Sequence, residues 1–208
     1  MNGTPVLPPP GHRRETLFSS LRANVSLLVG LAVIPWMVEL LDFVVPGSFD
    51  RYGIRPREIG GLYGIAAAPL LHDGFGHLAS NTGPFLILGS ILLVGGRKLF
   101  LTATVVILAL SGGALWMLGP SGTNHIGASI LVFGYLGFLL ARGIMERSVF
   151  WGMVSLAVLA AYGGMLAGVL PGERGVSWQG HLFGFLSGIV TARILSDPGT
   201  ERSGLPTG

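Results

Sequence analysis

Apolar runs of about twenty residues, separated by short polar connections, constrain this chain more than any other feature. They fall at about 24–45, 74–95, 99–118, 127–141, 149–168 and 178–195. A bilayer's hydrocarbon core is about 30 Å thick, and about 20 predominantly apolar residues cross it as a helix. No water is available there to satisfy backbone groups, so a helix that bonds to itself is the expected form. Charged residues make up only 11% of the chain, against about 25% in soluble domains. The expected fold is therefore an all-α membrane protein, a single bundle of six transmembrane helices with a short fourth span. The 34 glycines fit that setting, because glycine lets membrane helices approach backbone to backbone.

The polar residues divide the chain. Residues 1–22 carry Pro5, Pro8, Pro9 and Pro10, then His12, Arg13 and Arg14. They read as a flexible cytoplasmic segment. A membrane domain is expected over 23–196 and a polar cytoplasmic tail over 197–208. Alternate connections collect Arg13, Arg14, Arg22, Arg97, Lys98, Arg142, Arg147, Arg193 and Arg202 on one side. Only Arg51, Arg55, Arg57 and Arg174 fall on the other. The positive-inside rule then puts both termini in the cytoplasm, and a bacterial cytoplasmic membrane is the expected location. The net charge of +3 is dispersed between apolar runs, which argues against a nucleic-acid partner. With no cysteine in the chain, disulfide and thiol chemistry are excluded.

This threading makes spans two, four and six all start on the outer side. His77, Ser129 and His181 each lie near the start of one of them. Asn81 follows His77 by four residues, so both share a helix face. Polar side chains at such depth must face the bundle or water. Span four, at about fifteen residues and about 1.5 Å each, covers only about 22 Å. The loop before it must dip inward, which is tolerated only around a cavity. Ser129 then sits at the floor of a wet indentation. A serine hydroxyl needs a base to take its proton, and His181 is the candidate. The backbone N–H of Ser129, with His77 and Asn81, supplies candidate donors to an oxyanion. A buried acid beside His181 is not evident, so a Ser–His dyad is expected rather than a triad. No cofactor or metal is expected.

These residues resemble the rhomboid intramembrane serine proteases. The resemblance rests on Gly127-Ala128-Ser129 before a short fourth span and on His77-Leu78-Ala79-Ser80-Asn81 opening the second. Gly180-His181-Leu182-Phe183-Gly184, with Gly188, completes it in the sixth. It covers about 24–195. It implies a six-helix bundle that cleaves single-span or other membrane proteins near their outer ends. By the same resemblance Ser129 is the nucleophile, His181 the general base, and His77 and Asn81 the oxyanion donors. Three departures stand out. Ile130 occupies the place after the serine where the family usually has glycine, so it is expected to narrow the site or push helices apart. Phe133 replaces a frequent tyrosine. The first loop offers only Arg51-Tyr52 and Arg55-Pro56-Arg57 as loose counterparts of an arginine-containing motif.

Plainer readings compete. Ile130 is the best argument for an inactive rhomboid-like protein that binds membrane helices. A small transporter would need paired ionisable groups near the bilayer centre, and Glu39, Asp42 and Arg55 are not coupled to the histidines. His72 and His125 read as loop or interface histidines, with a cavity role open for His125. A metal site from His72, His77 and His125 lacks the carboxylate-plus-histidine spacing that would support it. Glu39 and Asp42, near the end of span one, read as interfacial.

Overall fold

The computed structural model describes residues 10–172 and 175–196, with side chains from Arg22 onward. The tail expected over 197–208 lies outside them, as do residues 1–9. Among the described residues the chain is all-helical, with one isolated antiparallel bridge between Ile54 and His125. The α-helices are α1 (Pro10–Val44), α2 (Gly64–Ala67), α3 (Gly74–Val94), α4 (Arg97–Leu118), α5 (Ser129–Met145), α6 (Val149–Tyr162) and α7 (Trp178–Leu195). α1 starts at Pro10, within the segment read from sequence as a flexible lead. Proline is favoured at a helix start because the N–H it lacks would have no partner there.

Among the described residues four stretches are long and apolar enough to cross a membrane: Arg22–Val44, Gly74–Val94, Arg97–Leu118 and Val149–Val169. α5 and α7 fall short of that test for different reasons. α5 has 17 residues. α7 has 18, diluted by Gln179, His181, Ser187, Thr191 and Arg193. They differ in surroundings, since α7 exposes Leu186, Val190 and Ile194 while α5 is enclosed. Every residue of α5 from Ile130 to Leu139 is buried, as expected of a helix that is apolar all round. α7 packs against α5 more extensively than any other pair of elements pack.

Glycine makes that contact possible. A methyl group at Gly184 would overlap the Ile130 carbonyl, and one at Gly188 would overlap the Gly134 carbonyl. Gly137 returns the relation, facing the Phe185 carbonyl. Two of the three glycines spaced four apart on α7, Gly184 and Gly188, thus meet α5. The third, Gly180, faces Ser177 and Leu115 of α4.

The end of α5 differs from expectation. The helix runs past the expected end near 141 to Met145, and Arg147 makes the turn with a φ of 49°. Arg142 can stay inside because its charge is met locally. Its Nε lies 2.6 Å from Glu146 Oε1, and its guanidinium sits 3.6 Å from the centre of the Trp151 ring. α6 passes at Gly163 into a 3₁₀ stretch, Gly163–Val169, within the run read as span five.

The segment between α1 and α3 is pinned rather than loose. Arg57 donates from its backbone N–H to the Trp116 carbonyl (3.0 Å) and from Nη1 to the Met117 carbonyl (3.2 Å). Those carbonyls end α4 and have no partner inside the helix, and a cation there opposes the helix dipole. Trp116 Nε1 donates to the Glu58 carbonyl at 2.8 Å. Of the two loose arginine motifs, Arg55-Pro56-Arg57 therefore does the anchoring. Asp42 accepts from Ser48 Oγ (3.3 Å) and from the Phe49 N–H, closing the turn after α1. Glu39 is buried within the protein.

Candidate active site

Helices α3, α5 and α7 bring their first turns to one end of the molecule. There His77, Asn81, Ser129 and His181 line a single cavity of about 770 Å³, together with Asp50, Asp73, His125 and Ser177. All four site residues chosen from sequence thus meet at one hollow.

The local chain explains how Ser129 gets there. Gly127 has a φ of 108°, in the region that favours glycine. Its N–H donates to the Ala68 carbonyl at 2.8 Å, and the Ala128 N–H donates to His72 Nε2 at 3.2 Å. The strap before α5 is thereby held against the 46–73 segment. α5 starts at Ser129 itself, so the first backbone N–H groups of the helix are open to the site.

His181 lies three residues into α7. Its Nδ1 is 3.0 Å from the Gly168 carbonyl. A carbonyl only accepts, so Nδ1 carries the proton in the neutral ring and Nε2 keeps a free lone pair. The orienting group is thus a backbone carbonyl in the 3₁₀ stretch after α6, not a carboxylate. The Phe133 ring stacks on the imidazole, with centroids 4.1 Å apart and planes 10° from parallel. Phenylalanine supplies that stacking without a hydroxyl. Among the described residues no hydrogen bond joins Ser129 Oγ to His181.

His77 Nδ1 accepts from the Asp73 N–H at 3.4 Å, which leaves its proton on Nε2. A Cβ placed on Gly127 would lie 3.0 Å from His77 Nε2 and 3.7 Å from Ser129 Oγ. The hollow beside the Gly127 Cα is thus narrow, too tight for a methyl group but within hydrogen-bond distance of His77 Nε2. Asn81 is buried and donates from Nδ2 to the His77 carbonyl at 3.0 Å. One amide proton remains for another acceptor.

Ile130 does not push α5 and α7 apart. It is buried in the core with Ile54 and Leu115, while its carbonyl faces Gly184 of α7. The close approach of the two helices at this level is allowed by Gly184, which faces the Ile130 backbone.

The two histidines read as loop residues are buried, and His125 also lines the cavity. His72 is 2% exposed, and burial, reinforced by the nearby charge of His77, holds its pKa down at about 4. Burial also lowers His125. Among the described residues no group of three or more His, Cys, Asp or Glu is placed to hold a metal ion.

The Rhomboid domain family model matches residues 60–198. The chain belongs to the rhomboid family. Rhomboid proteins are in general intramembrane serine proteases, and this rhomboid is an integral membrane protein. Uncharacterized proteins of Mycobacterium tuberculosis and Mycobacterium bovis are 44% identical to it over 171 residues, spanning 78% of this chain and 71% of theirs. An uncharacterized protein of Mycobacterium leprae is 42% identical over 183 residues, spanning 84% of this chain and 72% of its own.

Three contributors to this rhomboid site escaped the sequence reading. Gly168 acts through its carbonyl, so no side chain advertised it. His72 acts through a loop contact that spacing does not reveal. Ser177 had a legible signal, a serine directly before a helix start. It caps α7 by accepting from the Gly180 N–H at 3.2 Å.

Proposed function

We propose that the protein is an intramembrane serine endopeptidase that cleaves single-span or other membrane proteins near their outer ends. The observation that carries this reading is the cavity shared by Ser129, His181, His77 and Asn81. Its volume of about 770 Å³ leaves room for many waters, since one needs about 10–15 Å³ by this measure. Ser129 Oγ attacks the scissile carbonyl while His181 Nε2 takes its proton, and His181 then returns that proton to the leaving amine. The hydrogen bond to Gly168 supports this role, because it sets the tautomer that leaves Nε2 free. The hollow at Gly127 supports an oxyanion pocket formed by His77 Nε2–H, the Asn81 amide and the Ser129 N–H. All six apolar runs are read as spans, with both termini cytoplasmic. Of the short pair, α5 is enclosed by the other helices, whereas α7 keeps Leu186, Val190 and Ile194 exposed on its outer face.

Ser129→Ala and His181→Ala should each abolish cleavage of a single-span test substrate and leave the thermal midpoint in detergent nearly unchanged. Retained cleavage in either variant would end the dyad reading. One observation favours the second reading, a non-catalytic protein that binds membrane helices: Ser129 and His181 share a cavity without a hydrogen bond between them. That reading predicts that a fluorophosphonate leaves Ser129 unlabelled.

A further inference from the structure

His125 sits four residues before Ser129, and each of its polar atoms has an assignable partner. Thr123 Oγ1 donates its one proton to the Pro120 carbonyl at 2.7 Å. It is also 2.7 Å from His125 Nε2, so there it must accept, and Nε2 carries the proton. His125 Nδ1 is then unprotonated and accepts from Ser177 Oγ at 2.6 Å. Ser177 Oγ in turn accepts from the Gly180 N–H, and the Ser177 carbonyl accepts from the His181 N–H at 3.1 Å. The result is a directional chain: Gly180 N–H to Ser177, Ser177 to His125, His125 to Thr123, Thr123 to Pro120. The main chain of His125 adds a two-way pair with Ile54, at 3.0 and 2.9 Å. Among the described residues, His125–Ser177 is the only hydrogen bond between the strap 119–128 and the first turn of α7.

We propose that His125 is a positioning residue that ties the strap carrying Ser129 to the helix start carrying His181, in the one tautomer this chain permits. The inference rests on the Ser129–His181 reading above. Packing of α5 on α7 sets the helix separation. It leaves each helix free to slide or rotate by small amounts, and both reacting groups lie at the ends where such freedom is largest. A two-sided imidazole with a defined donor and a defined acceptor removes it. A 1 Å misplacement of reacting groups costs about 10²-fold in rate, so loss of one link in the chain should cost about tenfold.

The test uses full-length protein in detergent, a fluorophosphonate probe on Ser129 and cleavage of the single-span substrate. Thr123→Val keeps the shape and removes the acceptor of the Nε2 proton. Ser177→Ala removes the donor to Nδ1. Each should slow labelling and kcat about tenfold with little change in KM, and Thr123→Ser should restore the rate. The double variant Thr123→Val/Ser177→Ala should be no slower than about tenfold, because both changes break one chain. Nitrogen-15 imidazole shifts should show the Nε2–H tautomer of His125 in the wild type and its loss in Thr123→Val. Full rates in both single variants, or losses that multiply in the double variant, would overturn the inference while the dyad stands. A wild-type protein that neither labels nor cleaves would remove the dyad and this inference together. Labelling that survives Ser129→Ala and disappears in Ser177→Ala would make Ser177 the nucleophile and overturn both.

Discussion

The substitution Gly127→Ala separates catalytic geometry from stability. Two effects act at this position. The first is conformational: a φ of 108° costs a residue with a Cβ about 1–3 kcal/mol. The second is steric: the new methyl would sit 2.9 Å from His77 Cε1 and 3.0 Å from Nε2, where ordinary contact begins near 3.4 Å. The ring must retreat by about half an ångström, or the strap must, and the hollow between Nε2 and Ser129 Oγ is filled. Losing one oxyanion donor costs about 10²–10³ in kcat, so that is the expected fall. Gly122→Ala is the control. Gly122 also has a left-handed φ, 76°, but nothing lies within 4 Å of its vacant Cβ position. It pays the conformational cost alone. Both variants should lower the thermal midpoint in detergent, and only Gly127→Ala should lose kcat on the single-span substrate. Equal losses of activity in the two, or full activity in Gly127→Ala, would refute the assignment of this hollow to the oxyanion.

Other consequences can be measured in the same preparations. A methyl at Gly184 overlaps the Ile130 carbonyl; overpacking costs about 1–3 kcal/mol, and the forced separation of α5 from α7 should lower kcat about a hundredfold, whereas Gly152→Ala, with open space around it, should leave both unchanged. Tyr135 is fully buried and 2.8 Å from Thr104 Oγ1, whose own proton goes to the Phe100 carbonyl; Tyr135→Phe therefore leaves an acceptor unpaired and should cost about 1 kcal/mol by denaturant titration, with no change in KM. His72 is held neutral with a pKa of about 4, below its unfolded value of about 6.5. Between those values the unfolded chain binds more protons, so stability is full above pH 6.5 and falls towards pH 4, by on the order of 3 kcal/mol at most. His72→Asn should flatten that part of the midpoint-against-pH curve, and an unchanged slope would count against a buried neutral His72.

That Ser129, His181, His77 and Asn81 meet at one cavity was legible because each lies near a helix start. Once the apolar runs are threaded antiparallel, the first turns of spans two, four and six must share one end of the bundle. Ile130 was legible as a departure but not in its effect. Its side chain turns into the core beside Ile54 and Leu115, and only the packing of α7 reveals that the Ile130 backbone meets Gly184. The six-span count divided for a related reason. α5 is enclosed at the centre, so it is not held to the length that lipid contact imposes, and α7 buries Ser187 and Thr191 on one side and exposes Leu186, Val190 and Ile194 on another.

The sequence by itself determined that the chain is a helical membrane protein, which end of it holds the polar residues, and which serine and histidine lead the reading. Those follow from periodicity and from the cost of polar groups in hydrocarbon, both of which act along the chain. Tertiary structure alone decided what orients them: the Gly168 carbonyl on His181, the His72 ring on the Ala128 N–H, and the His125 link from the strap to α7. These are directional bonds between segments far apart in sequence. Two of them use backbone groups that every residue carries, so no residue type could signal them in advance.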